Sequence, residues 1–248
     1  MIRGLVRLLV AAIVAFGSAA AAARAADSVS ESERKTLEDT LYHYMSQHPG
    51  VLLDALHRAE DRVKVDEEAQ AHRAMSERRR DILDDPTSPV GGNPQGNVTI
   101  VEFFDYRCPY CKQMEPALEA LLHEDGNIRI VYKAFPILGK DSVYASHMAL
   151  AAKKQGKYDA FHAAMMATKG HIDEGVVEQV AKSVDLDLSR AQSDMGAAEI
   201  DDIISRNEDL ARALNIQGTP AFLIGEELVP GAVDIATLRE KIALARKG

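Results

Sequence analysis

Two cysteines with two residues between them, Cys108-Pro109-Tyr110-Cys111, stand where an apolar run gives way to a helix-period run. The run before them, Val98 to Phe104, reads Val-Thr-Ile-Val-Glu-Phe-Phe and predicts a buried strand. The run after them carries Met114, Leu118, Leu121 and Leu122 at helical spacing. A strand that passes into a helix through this motif puts the first cysteine at the helix N-terminus. Unpaired N–H groups and the helix dipole favour an anion there, so Cys108 should titrate low and act as a thiolate nucleophile. Cys111 lies one turn on, within reach to close a disulfide, and reads as the resolving thiol. Pro109 suits the first helical turn, where its missing N–H costs nothing. No other cysteine occurs in the 248 residues, which excludes a disulfide-stapled scaffold and a four-cysteine zinc site. A purely structural disulfide and a Cu(I) site held by the same two thiolates are the rival readings.

The rest of this region alternates strand and helix. Ile128 to Ala134 predicts a second strand, and residues 141–214 are helical in pattern, punctuated by Gly156, Gly170 and Gly175. Ala221–Ile224 and Leu228-Val229 flank Gly225-Glu226-Glu227 as a hairpin, and Asp234 caps a last helix bearing Ile235, Leu238, Ile242 and Leu244. This order predicts an α/β sandwich with a helical insertion over 141–214. Pro220 opens the first hairpin strand, and a cis Thr219-Pro220 bond would explain a proline there. A loop so placed leaves backbone free beside the cysteines for an extended substrate peptide. Glu102 lies inside an otherwise apolar strand, where a carboxylate must be paired or protonated. His147, His162, Met148, Met165 and Met166 could suggest a copper box, but methionines at this spacing read as helical core, and Phe104 and Tyr106 as core or groove rim.

The chain begins differently. Arg3 and Arg7, the apolar run Leu8 to Phe16, and small residues ending at Ala23-Arg24-Ala25 have the three parts of a secretory signal, with cleavage expected after Ala25. No other run is long and apolar enough to span a bilayer. An exported, periplasmic protein is expected. Residues 26–84 then form a helical arm. Ser30 and Glu33 have capping-box spacing, His48-Pro49-Gly50 interrupts the first helix, and Leu52, Leu56, Ala59 and Val63 make a narrow apolar seam. The arm is too thin in large apolar residues to form a core alone and is expected to pack on a second copy of the chain. Arg78-Arg79-Arg80 reads as a solvated helix end. Asp84-Asp85-Pro86-Thr87-Ser88-Pro89 and Gly91-Gly92-Asn93-Pro94 are dense in breakers and mark a boundary, leaving 85–248 as the catalytic domain. With 29 basic against 38 acidic residues, a net charge of −9, nucleic acid is not an expected partner.

Glu102-Phe103-Phe104-Asp105-Tyr106-Arg107-Cys108-Pro109-Tyr110-Cys111 resembles the active-site strand and motif of DsbA-family thiol-disulfide oxidoreductases. The Ser88-to-Pro94 linker, Lys133-Ala134-Phe135-Pro136-Ile137-Leu138-Gly139, Gly218-Thr219-Pro220-Ala221-Phe222 and the helical arm look most like the ScsC-like branch. The resemblance implies a thioredoxin fold with an inserted helical domain and a cis Pro220 facing Cys108. Tyr110 and Thr219 stand where plain DsbA proteins usually have His and Val, and look more like the disulfide isomerases. The resemblance also implies that Glu102 sits beneath the active site near Lys133, the two forming a proton-handling pair for Cys111. The expected activity is disulfide isomerisation on exported cysteine-containing proteins, the arm setting several sites around one substrate. A monomeric disulfide oxidase is the alternative. The expected redox partner is a membrane protein, a DsbD- or ScsB-like reductant or a DsbB-like oxidant, and no cofactor beyond the cysteine pair is implied.

Overall fold

The computed structural model describes residues 30–247, so the leader expected over residues 1–25 lies outside the described residues. Among these, no helix is long and apolar enough to cross a membrane. The chain divides into two compact units, Met1–Val63 and Lys64–Gly248.

In the first unit, helix α1 (Glu31–Gln47) starts on the capping box that the sequence predicts. The Ser30 hydroxyl accepts from the Glu33 N–H, and Glu33 accepts from the Ser30 N–H at 2.9 Å. His48 ends this helix and Pro49 opens α2 (Pro49–Glu77), a first-turn position where proline fits. No residue of α1 is buried, and Leu37, Leu41, Tyr44, Leu52, Leu56 and Val63 all stay exposed.

The second unit is built on a five-stranded sheet of order β1-β3-β2-β4-β5, with β1 Val90–Gly92, β2 Val98–Phe104, β3 Ile128–Ala134, β4 Ala221–Ile224 and β5 Glu227–Pro230. β2 runs parallel to β3 and antiparallel to β4. Between β2 and β3 lies α4 (Pro109–Glu124), which follows the short helix α3 (Arg79–Leu83) in chain order. Five helices separate β3 from β4: α5 (Lys140–Lys154), α6 (Tyr158–Ala167), α7 (Glu174–Ser183), α8 (Leu188–Met195) and α9 (Ala198–Ala213). They occupy the expected insertion. The last helix, α10 (Ile235–Ala245), is capped by Asp234 accepting from the Thr237 N–H at 2.7 Å.

Because successive side chains on a strand point to opposite faces, the sheet has two cores. Ile100 and Phe104 of β2, Ile130 and Tyr132 of β3, and Phe222 of β4 face α4 and the helical insertion, where Met148, Met165 and Met166 are buried as core residues. Val101, Phe103, Val131 and Leu223 face the other way, onto Ile82, Leu210 and Leu214.

Two expectations change. The breaker-rich segment contains a strand: Val90, Gly91 and Gly92 pair with Val131, Ile130 and Arg129 on the sheet edge. Gly92 is required there, since φ is +64° and a Cβ would come within 2.5 Å of the Ile128 carbonyl oxygen. The division also falls between Val63 and Lys64 instead of near Asp85. Ala71 and Ile82 are buried, and Ala74, Met75 and Leu83 pack on the second core. The few apolar groups of 64–83 lie among alanines and charges, which hides their burial from a periodicity argument. The breakers after them are tied down as well. Lys153 donates to the Pro86 and Thr87 carbonyls at 2.9 and 2.7 Å.

Candidate active site

β2 delivers the chain to the site. After Phe104, Asp105 turns it, and the Cys108 N–H donates to the Asp105 carbonyl at 3.0 Å. Cys108 is the N-cap of α4, with Pro109 in the first turn, and Cys111 follows one turn later, completely buried. Both cysteines are free thiols. Since β4 runs antiparallel beside β2, with Ala221 opposite Phe103, the residues before it reach the end of β2 that bears the cysteines. The Thr219-Pro220 bond is cis, and the Cys108 thiol lies 3.2 Å from the Thr219 carbonyl oxygen, to which it donates.

These neighbours separate the two sulfurs. Hydrogen bonds from the Cys111 thiol, from the Thr219 side chain and from the Cys111 and Tyr110 N–H groups outweigh burial and lower the Cys108 pKa from 9.0 to about 5. The reciprocal bond to Cys108, together with burial, pushes Cys111 well above the ordinary thiol range. At neutral pH one sulfur is thus a thiolate and the other holds a proton.

Asp105, fully buried, clamps the rim. One carboxylate oxygen accepts from the Arg107 N–H at 2.7 Å and the other from the Leu138 N–H at 3.0 Å. Arg107 returns to the Leu138 carbonyl at 2.6 Å and to Asp141 at 3.7 Å. Ile137 and Leu138 are exposed on this loop, as is Tyr110 between the cysteines. On the inner side, Lys112 donates to the carbonyls of Met165 at 2.5 Å, Thr168 at 2.9 Å and Met166 at 3.3 Å, capping the end of α6. Burial lowers its pKa to about 8.

The expected pair of Glu102 and Lys133 is not formed. Glu102 stands opposite Tyr132 in the parallel ladder, whereas Lys133 stands opposite Phe103, so the two side chains leave the sheet on opposite faces. Lys133 is 1% exposed and donates to the Asp81 carbonyl at 2.7 Å and to the Asp85 carboxylate at 3.1 Å. Glu102 is fully buried on the cysteine side, and neither of its oxygens has a hydrogen-bond partner. Burial, then the charges of Glu115 and Cys108, raise its pKa well above 4.5.

Three contributors escaped the sequence reading of the site. Asp105 follows an apolar strand directly and sits two residues before the N–H that it accepts from, a local turn signature. Glu115 lies four residues after Cys111, which on a helix puts both on one face. His162 read as part of a methionine-rich core. It is buried, with Nδ1 3.0 Å from the Tyr106 hydroxyl and Nε2 3.7 Å from Glu115. His147, by contrast, is drawn to Met195 and Asp201, away from His162's partners.

Comparison with known proteins gives this geometry its family. Residues 99–243 match the DSBA-like thioredoxin domain. A thioredoxin-like oxidoreductase from Silicibacter pomeroyi is 44% identical, with a TM-score of 0.67 over 68% of this chain and 98% of that one. ScsC from Proteus mirabilis in a transitional conformation is 27% identical, with a TM-score of 0.66 over 88% of this chain and 99% of that one. Among curated relatives, the Na(+)/H(+) antiporter NhaA 1 of Salinispora arenicola is 30% identical over 168 residues, which are 67% of this chain but only 26% of the antiporter. The matched residues 99–243 carry the strand, the cysteine motif and the helical insertion, and by them the chain belongs to the DsbA-like thioredoxin domain family.

Proposed function

We propose that this chain is an exported thiol-disulfide oxidoreductase acting on protein cysteines, with Cys108 as nucleophile and Cys111 as resolving thiol. The observation that carries the reading is the division of labour between the sulfurs: Cys108 at a helix N-terminus with its pKa held at about 5, and Cys111 behind it, buried and protonated. In the reducing direction the Cys108 thiolate attacks one sulfur of a substrate disulfide, forming a mixed disulfide and releasing the other substrate sulfur as a thiolate. Cys111 then gives up its proton and attacks Cys108. The Cys108–Cys111 bond forms, the mixed disulfide breaks, and the substrate is reduced as the pair is oxidised. The reverse sequence oxidises a substrate dithiol. The redox-active group is the cysteine pair itself. Thr219 and Pro220 border the peptide site, and Pro109 and Tyr110 shape its floor and rim. Regeneration falls to a membrane redox partner, and the compartment is the periplasm.

Isomerisation is the favoured direction. The apolar side chains left exposed on 30–63, including Leu37, Leu41, Leu52 and Leu56, support an arm that joins copies of the chain, several sites then facing one substrate. One observation favours the oxidase instead: a stabilised Cys108 thiolate stabilises the reduced form, which makes the disulfide more oxidising. Reactivation of scrambled ribonuclease by the mature chain, compared with a form starting at Lys64, decides between them. The shorter form starts at Lys64 because Ala71 and Ile82 belong to the core of the second unit. Isomerase activity that disappears in the shorter form establishes the first reading. Rapid oxidation of reduced ribonuclease by both forms, without reactivation, establishes the second. Alkylation of Cys108 should rise to a plateau with a midpoint near pH 5, and a midpoint near 9 would remove the nucleophile from either scheme.

A further inference from the structure

Resting on the proposed exchange chemistry, we infer that residues 168–171 form a further wall of the peptide site, positioned by Lys112. The exposed cation of that wall, Lys169, gives the site a preference for substrate cysteines flanked by acidic residues.

Lys112 carries its ammonium from an unfavourable place to a favourable one. It follows Cys111 in the N-terminal part of α4, where the helix dipole disfavours a cation. Its Nζ instead meets the C-terminal end of α6 and donates to the Met165, Thr168 and Met166 carbonyls. Each of its three hydrogens thus has an acceptor, and a helix C-terminus is where such a charge is stabilised. Its pKa of about 8 leaves it charged at pH 7. The end of α6 is closed without this help. The Thr168 N–H donates to the Met165 carbonyl at 3.2 Å, and the Thr168 hydroxyl to the Ala164 carbonyl at 2.8 Å. What Lys112 adds is a link between the residue beside Cys111 and a loop 53 to 56 residues further along the chain.

That loop is fixed at both ends and open between them. Lys112 holds its start, and the buried Ile172 holds its finish. Lys169, Gly170 and His171 lie exposed between these anchors, with Gly170 turning the chain at φ +82°. The Ile137–Leu138 loop has the same construction. Asp105 and Arg107 hold the main chain of Leu138, while Ile137, Leu138 and Lys140 are exposed. Three residues of the cysteine segment, Asp105, Arg107 and Lys112, therefore fasten two loops to it by their backbones and leave the loops' side chains free for a substrate.

Charge decides what the second loop selects. The carboxylates nearest in sequence to the two loops are engaged: Asp141 lies 3.7 Å from Arg107, and Asp173 caps α7 by accepting from the Val176 N–H at 2.9 Å. Glu174 stands in the first turn of α7, whose N-terminus offsets its charge. Asp159 lies at the other end of α6, about 10 Å of helix from the Lys112 contact. Lys169 is left to meet a substrate carboxylate. In a chain of net charge −9, a cation beside the cysteines acts as a local filter on how an acidic segment docks.

The test uses the reduced mature chain at pH 7 and three short peptides, each joined through its one cysteine to 2-mercaptoethanol. The peptides differ only in flanking that cysteine with aspartates, lysines or serines. Rates are divided by those of the same peptides with free dithiothreitol, which removes their intrinsic reactivity. The aspartate peptide should react roughly twofold to fivefold faster than the lysine peptide, the range set by exposed ion pairs. High salt should erase the difference. Lys169→Glu should invert the order. Lys112→Met keeps the aliphatic stem and removes the donors, so it should abolish most of the preference and raise the half-saturating concentration of the aspartate peptide. Lys112→Arg should restore both in part. A loss of stability in Lys112→Met with the preference unmoved would make Lys112 purely structural and overturn its place in the site. Equal rates for the three peptides, or a preference that Lys169→Glu leaves as it was, overturn the inference while the exchange chemistry stands. Absence of reaction with every peptide overturns the exchange chemistry itself. Should Lys112→Met fail to fold, the Lys169→Glu inversion decides, since that side chain is exposed.

Discussion

The two faces of the central sheet each bury one charged side chain, and they treat it in opposite ways. On the face toward α3 and α9, Lys133 meets the Asp85 carboxylate and the Asp81 carbonyl, and Asp85 is itself held by Thr87. On the face toward the cysteines, Glu102 meets no hydrogen-bond donor. Both groups lie within apolar strands and are buried, so burial alone does not distinguish them. Their partners do. A charge with every bond satisfied holds structure together, whereas one left without partners beside a reactive sulfur is available to take and return a proton.

Exchanging either group sharpens this contrast. The largest effect is expected for Lys133→Ala, which leaves Asp85 and the Asp81 carbonyl without their cation. Breaking a buried pair costs about 3–5 kcal/mol, to be read from urea unfolding. Exchange activity per folded molecule should stay as it was, and a drop in activity would erase the distinction between the faces. Glu102→Gln should do the reverse. Its folded pKa is raised, so its contribution to stability is complete below 4.5 and is lost as pH rises through the folded value. The glutamine variant should therefore gain melting temperature over the unaltered protein as pH rises, by about 2–4 °C for each kcal/mol, while its resolving step slows. A smaller effect belongs to Asp85. Although burial opposes it, hydrogen bonds from Thr87 and the charge of Lys133 lower its pKa from 3.8 to about 2. Its stabilisation is thus fully present above 3.8 and is lost as pH falls through 2. An Asp85→Asn variant should flatten the acid limb of the unfolding curve, and an unchanged limb would show that Lys133 holds its place without the carboxylate.

Much of this was readable in the chain. The strands 98–104 and 128–134, the hairpin and the insertion follow from apolar runs and breakers, and the Cys108 site follows from a motif placed between a strand and a helix. The Glu102–Lys133 pairing failed on a point that the same pattern contains. Ile100, Phe104, Ile130 and Tyr132 share a face, all at even positions, so an even-numbered glutamate and an odd-numbered lysine must separate. Glu115 was legible through its four-residue spacing from Cys111. The true partner of Lys133 was not, because Asp85 lies 48 residues away in a segment whose composition says only that it turns. Nor was β1, whose glycines are poor strand formers, placed by close backbone approach.

The clamp at Asp105 bears on how such a protein diversifies. One carboxylate fastens the backbone beside Cys108 to the backbone of the Ile137–Leu138 loop, so the loop and the Cys108 sulfur are held in one frame. The loop is held by its main chain, which leaves its two apolar side chains free to vary. Under the proposed exchange chemistry, selection can therefore change the apolar surface beside the cysteines without altering the backbone that positions Cys108.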